Sequence, residues 1–306
     1  MAAEVIQQLL NWLVLGSIYA LLAIGFSLLF GVINVIHFSH GDVSLIGPFV
    51  ALAIVPALGS AFGPGGSVSA LLMSMLAAIF IIGILGVVIE RIVIRPLRDA
   101  PAMMPLVATV ALGIFLREAI RRFYPQGSNP QAFSMPFSAP AFSLGEVAVS
   151  WFSVIVLATT ATLLAGLFFF LKKTPMGVRI RAVSQDREAA RLMGVRSNRV
   201  FQSSFFIASA SGAIAGLFYA GNVGATRFDF GILAGLMGFS AAVVGGLGSI
   251  FGAVVGGLLI AGAEVLAQAL VPDGAAYRQV FAFMMVIVFL LFRPEGLLGK
   301  VVVEKV

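Results

Sequence analysis

The sequence lacks cysteine altogether and has only two histidines, His37 and His40, in 306 residues. Disulfides, thiolate metal centres and cysteine nucleophiles are therefore excluded. A three-histidine metal site cannot be assembled from this chain alone. Charge is also scarce: Asp, Glu, Lys and Arg make up 10% of the residues, against about 25% in soluble domains. Hydrophobic residues make up 60%, and mean hydropathy is +1.08. These values exclude a soluble enzyme with one apolar core and a disordered chain. The net charge of +6 does not imply nucleic acid, because cytoplasmic membrane loops are basic for another reason.

What is present is long stretches without charge. No Asp, Glu, Lys or Arg occurs at 5–41, 43–89, 147–171, 200–226 or 230–263. A spanning helix needs about 20 apolar residues, so several of these runs hold more than one pass or a broken helix. The pattern predicts an all-α, polytopic helical membrane protein of about 8–10 spans. The expected spans lie near 9–31, 42–58, 69–89, 103–122, 151–171, 201–221, 230–247, 252–271 and a short one at 279–293. Glu4 stands before the first apolar run and no basic residue does, so no cleaved signal peptide is expected.

Lys and Arg concentrate in a 90–98 loop, a 172–199 loop and the tail (Arg293, Lys300, Lys305). Two expected spans separate the first pair and four the second, so all three fall on one side, the cytoplasmic one. The N-terminus is then outside. Arg117, Arg121 and Arg122 conflict with this, because they close a span whose far end faces outward; they snorkel or the span is misplaced. Residues 124–150 hold four prolines and almost no charge, which reads as an ordered external loop or a plain connector. LLFGVINV at 28–35 resembles LFYAGNVG at 217–224, in spans that enter from opposite sides. This suggests an inverted repeat of two halves, although two short matches do not establish one.

The strongest local pattern is KKTPMGVRIRAVSQDREAARLMGVRSNR at 172–199. Thr174-Pro175 is an N-cap followed by proline at the first helical position. Ser184 is expected to cap a second short helix. Asp186 and Glu188 fall in its first turn, Arg191 in its last, and Gly194 is placed to stop it. Ala189, Leu192 and Met193 add an apolar patch. A short capped helix with both charge signs suits a groove on a cytoplasmic partner; a basic loop that only sets topology is the plainer alternative.

TPMGVRIRAVSQDREAARLMGV, within this segment, resembles the cytoplasmic coupling segment of LivH-type permeases of branched-chain amino acid ABC transporters. The likeness continues in LGSIYALLAIGFSLLFGVINVIHFSHGDV at 15–43, ERIVIRPLRD at 90–99, FSAAVVGGLGSIFGAVVGGLLIAGAEVL at 239–266 and RPEGLLGK at 293–300. It implies one transmembrane permease domain over 1–306, with a coupling segment at 172–200 that contains Met176, Gly177, Asp186, Arg187, Glu188, Arg191 and Gly194. It also implies two cytoplasmic ATP-binding cassette subunits, a second related permease, an extracytoplasmic binding protein, and a multi-pass place in the bacterial inner membrane. The chain itself needs no cofactor on this reading, since the partners bind ATP. The substrate class is branched-chain or related amino acids, or urea and short amides. Two departures from the family are Met237, where a lysine is frequent, and Phe251, where a proline is frequent.

Polar groups inside the apolar runs are the candidates for a translocation path. Asn34, His37, Ser39, His40 and Asp42 cluster between two apolar stretches. A carboxylate at mid-membrane costs roughly 2.5–3.5 kcal/mol and needs a cavity or a partner. This is either a discontinuous helix lining a path or a surface loop with Asp42 capping span 2. Asn222, Arg227 and Asp229 form a second group, read more simply as a pair or a cap; Glu264 stands alone in span 8 and suits a buried structural partner. Gly245-Gly246-Leu247-Gly248-Ser249 has no following Gly-Lys-Ser/Thr, so it is a turn and not a phosphate loop. Glycine pairs at 212/216, 231/235 and 252/256 suit close helix packing. An ion-coupled carrier using Asp42 and Glu264 stays open, as does, more remotely, a membrane hydrolase built on Ser240 and His40.

Overall fold

The computed structural model describes residues 2–299 apart from 63–66, 102, 136, 138, 145, 146 and 272. Lys300 and Lys305 lie outside the described residues. The helices are α1 (Ala2–Ile33), α2 (His40–Phe62), α3 (Ser67–Ile89), α4 (Met103–Phe123), α5 (Trp151–Lys173), α6 (Pro175–Gln185), α7 (Arg187–Leu192), α8 (Ser197–Val223), α9 (Phe230–Gly245), α10 (Ile250–Leu270) and α11 (Gly274–Phe292). Among the described residues, eight helices are long and apolar enough to cross a membrane, and α9 is a shorter apolar helix. At 1.5 Å per residue α9 is about 24 Å long, less than the roughly 30 Å of a hydrocarbon core.

Several boundaries differ from the sequence expectation, among them the start of α1 at Ala2 instead of 9. The 90–98 segment is not a loop: it extends α3 as a π-helical turn, Glu90–Ile94, and a 3-10 turn, Arg95–Leu97. Ile94 is buried, and the Glu90 carboxylate is held by Arg98, so the charges that suggested a loop are accommodated in a helix. The last span begins at Gly274 instead of 279; Arg278, in its second turn, interrupts the apolar run without interrupting the helix.

The bundle is built twice over. α1 packs on α9 and α10, while α8 packs on α2 and α3. α1 and α8 run antiparallel against each other, because Leu28 and Val32 share a cluster with Val200 and Phe205 while Tyr19 neighbours Tyr219. α2 meets α9 directly. Exchanging α1–α2–α3 for α8–α9–α10 therefore preserves the contacts, which is the packing an inverted repeat produces.

Small residues make these contacts possible. A Cβ on Gly212 would strike Ser44 Oγ, and one on Gly216 would strike the Ser44 carbonyl. Gly252 and Gly256 lie against the backbone of Gly245 and Ala241. With little hydrophobic drive between helices in lipid, such close backbone approach supplies the packing attraction.

All three basic segments meet at one end. Arg187 pairs with Asp99 at 3.2 Å, and Arg98 donates to Asn198 at 2.7 Å. The end of α1 packs beside Ile94, Ile180 and Val183. The tail closes on the same end: Leu297 and Leu298 donate to the carbonyls of Val244 and Gly245, next to Gly248 and Gly31. At the opposite end, among the described residues, four short strands form two pairs, β1 (Gln131–Ala132) with β4 (Ala225–Thr226) and β2 (Pro140–Leu144) with β3 (Val147–Ser150). Within the 124–150 connection Phe133 is fully buried.

Candidate functional site

The break between α1 and α2 is the first candidate. α1 ends at Asn34, which has a left-handed φ of 52° and is exposed at the basic end. The chain then turns back into the bundle. The Phe38 N–H donates to Thr109 Oγ1 at 3.3 Å, and a Cβ on Gly113 would strike Asp42 Oδ2. Gly113 is the central residue of α4, so α2 starts at mid-depth. The surface-loop alternative does not describe this geometry. Asp42 lies in the first turn of α2, and its side chain reaches α4 instead of capping α2.

His37, Ser39, His40 and Asp42 are buried together. Asp42 receives Arg117 Nη1 on both oxygens, at 3.2 and 3.1 Å. This ion pair resolves the conflict raised by Arg117 at the outer part of α4. The His40 ring meets Phe26 edge-on at 4.8 Å and lies against Gly25 of α1 and Gly212 of α8. His37 Nε2 is 3.4 Å from Ser39 Oγ, and its Nδ1 is buried without a protein partner among the described residues. Ser240 forms no hydrogen bond with His40 among the described residues.

Glu264 lies on α10, buried, and accepts from Tyr19 Oη at 3.0 Å. It therefore bridges α10 to α1. Asn222 is exposed at the end of α8 and does not join the buried polar residues. Arg227 and Asp229 pair with each other; hydrogen bonding to that carboxylate raises the Arg227 guanidinium above its ordinary value.

The second candidate is the α6–α7 handle. Thr174 Oγ1 accepts from the Gly177 N–H at 3.1 Å, with Pro175 opening α6. A Cβ on Gly177 would strike the carbonyls of Phe170 and Leu171, so glycine lets α6 fold tightly against the end of α5. The cap of α7 is Asp186, not Ser184: Asp186 Oδ1 accepts from the Ala189 N–H at 2.9 Å. Ser184 lies inside α6 and donates back to Arg181 O, the usual habit of a mid-helix serine. Gly194 ends the segment at φ 80°. Ile180, Val183 and Ala190 are buried inward, whereas Leu192 and Met193 are 89% and 84% exposed. Glu188 and Arg191 are exposed as well.

The sequence did not reveal what anchors the handle. Arg98 and Arg187 both lie over the Phe201 ring, at 3.8 and 5.5 Å. Burial, then the nearby Arg187 charge, lowers the Arg98 guanidinium to about 10, which still leaves it charged at neutral pH. The two departures from the family pattern are accommodated simply. Met237 is buried in the α9 core. Phe251 is exposed and stacks edge-on with Phe168, while Ser249 caps α10 without a proline.

Residues 8–290 match the family described as branched-chain amino acid transport system / permease component. The chain is 36% identical to the high-affinity branched-chain amino acid transport system permease protein BraD of Pseudomonas aeruginosa, covering 98% of both chains. It is 32% identical to the permease protein LivH of Escherichia coli (strain K12), over 98% of this chain and 97% of that one. Among solved structures it is similar to PsaBC from Streptococcus pneumoniae in complex with Fab, with a TM-score of 0.51, 14% identity and coverage of 96% and 97%; that likeness concerns the fold. This multi-pass helical membrane protein belongs to the branched-chain amino acid permease component family.

Proposed function

We propose that this chain is the permease subunit of an ABC importer for branched-chain amino acids, seated in the bacterial inner membrane as one domain. Two ATP-binding subunits grip α6 and α7, a second related permease completes the channel, and an extracytoplasmic binding protein delivers the amino acid. ATP is bound and hydrolysed by the partners, and the chain itself does no covalent chemistry.

The observation that carries this reading is the construction of the handle. α7 presents Glu188, Arg191, Leu192 and Met193 outward, while its other side is fixed to α8 and to the 95–99 turn by Arg187 and Ala190. A push on α7 is thus passed to α8 and to the extension of α3. Those helices flank α2, whose broken start holds His37, His40 and Asp42. Rigid elements with two packings convert such a push into alternating access. In this reading His37, His40 and Asp42 line the path, Glu264 steadies its α1–α10 wall, and Asn34 and Asn222 lie at its two mouths.

The test is reconstitution in liposomes with the cognate ATPases, second permease and binding protein. ATP-dependent leucine uptake, lost on omission of the ATPases, is expected. Uptake by this subunit alone under an ion gradient would establish the carrier reading instead. Uptake of urea without leucine would change the substrate class.

A further inference from the structure

Two adjoining cavities lie at the basic end, beside the handle and the start of α8. One, of about 380 Å³, is lined by Met176, Arg179, Met193, Arg196 and Arg199. No carboxylate lies within salt-bridge distance of Arg179, Arg196 or Arg199 among the described residues. The cavity adjoins the start of α8, where Arg196 occupies the cap position without a side-chain cap, so free backbone N–H groups add to the positive field. The other cavity, of about 460 Å³, shares Met176 and is lined by Val87 of α3, Phe170 of α5, and Gln202, Ser203, Phe206 and Ile207 of α8.

α8 sets the order of these groups. Arg196, Arg199, Ser203, Phe206 and Ile207 recur at three- and four-residue steps, which puts them along one helix face. From Arg196 to Ile207 that face spans about 16 Å. It passes from cationic through Gln202 and Ser203, neither of which has a protein hydrogen-bond partner for its side chain among the described residues, to purely apolar. Chemistry graded this way matches one amphiphile: a phosphate head, an ester-bearing middle and an acyl chain.

We infer that this groove is a binding site for an anionic phospholipid, with the phosphate among Arg179, Arg196 and Arg199, the glycerol esters at Gln202 and Ser203, and a chain along Phe206, Ile207, Val87 and Phe170. Basic pockets between spanning helices on the cytoplasmic side favour such headgroups. The inference needs only the chain's place in the membrane and does not depend on its substrate.

The experiment is native mass spectrometry of the full chain, delipidated in detergent and titrated with palmitoyl-oleoyl phosphatidylglycerol or the matching phosphatidylcholine. One tightly retained phosphatidylglycerol per chain is expected, with phosphatidylcholine retained far less. Arg179→Gln with Arg199→Gln should lower retention about tenfold or more, since each cation near a lipid surface contributes substantially. Ser203→Phe leaves the arginines in place and fills the groove, so it too should lower retention. Arg122→Gln, at the other end of the molecule, is the reference. Equal retention of the two lipids, or unchanged retention in either groove variant, overturns the proposal. So does displacement by glycerol 3-phosphate as effective as by lipid, which reduces the site to a free-anion pocket. Loss of the lipid on adding the ATPase subunits assigns the arginines to protein docking and overturns it as well.

Discussion

Arg117 of α4 donates to both oxygens of Asp42 of α2, at 3.2 and 3.1 Å, level with the middle of the α4 helix. Among the described residues α4 packs mainly on α2 and on the turn that follows α3. The ion pair and the Phe38 N–H to Thr109 Oγ1 hydrogen bond together hold a peripheral helix to the broken start of α2. The guanidinium of the pair is only part-buried and its carboxylate nearly fully so, so the carboxylate bears most of the desolvation penalty.

Removing one partner strands the other. Asp42→Ala and Arg117→Ala should each destabilise the protein by about 3–5 kcal/mol, the range for breaking a buried pair. A paired Asp42→Asn, Arg117→Gln variant should recover part of the loss. Thermal unfolding in detergent reads all three. Losses that simply add in the double variant would mean that the two side chains do not interact.

Much of this architecture is legible in the sequence. The charge-free runs locate the spans, and Thr174, Pro175 and Gly194 mark the handle. Helix caps and apolar length are local properties, and local properties survive folding. What was missed depends on distant partners. Glu90 and Arg98 looked like loop residues because their pairing across a π-helical turn is invisible in composition. Arg117 looked misplaced because Asp42 lies 75 positions away. Ser184 looked like a cap because the sequence does not show which of two nearby oxygens meets a free N–H. The inverted repeat left only two short matches, since repeated packing constrains residue size and not identity.

Asp186→Ala removes the side-chain acceptor that starts α7. The loss of an N-cap costs about 1 kcal/mol, and a six-residue helix has no internal reserve to offset it. α7 should fray while the spanning helices persist. In the reconstituted transporter, ATP hydrolysis should lose its stimulation by the binding protein, and thermal stability should hardly change. Glu188→Ala and Arg191→Ala leave the cap intact and should weaken coupling through lost partner contacts. Full coupling in all three variants would remove α7 from the motor interface.

Tyr19→Phe deletes the donor that Glu264 receives and leaves the ring packing nearly unchanged. A buried acceptor left without its partner costs about 1–3 kcal/mol, more when it is charged. Glu264→Gln keeps an oxygen to accept from Tyr19, so it should be milder. The measured order of melting temperatures should be wild type, then Glu264→Gln, then Tyr19→Phe. The reverse order would mean that the carboxylate, and not its hydrogen bond, holds α10 to α1.

Gly41 and Gly235 lie where the two halves of the repeat cross, yet they are not equivalent. A Cβ on Gly41 would strike Gly235 Cα and stand 2.5 Å from the Gly231 carbonyl oxygen, both backbone atoms that cannot rotate away. A Cβ on Gly235 would come only to 3.1 Å of Gly41 Cα. Gly41→Ala must therefore push α2 off α9, at a cost at or above the 1–3 kcal/mol of ordinary overpacking. Gly235→Ala needs a shift of a few tenths of an ångström and should cost less. Because Asp42 follows Gly41, displacing α2 also moves the carboxylate away from Arg117. Gly41→Ala should accordingly abolish transport even where the protein still inserts and assembles, whereas Gly235→Ala should retain part of it. Leucine uptake and unfolding measured side by side decide this; equal effects from the two alanines would mean that the crossing is looser than its backbone contacts require.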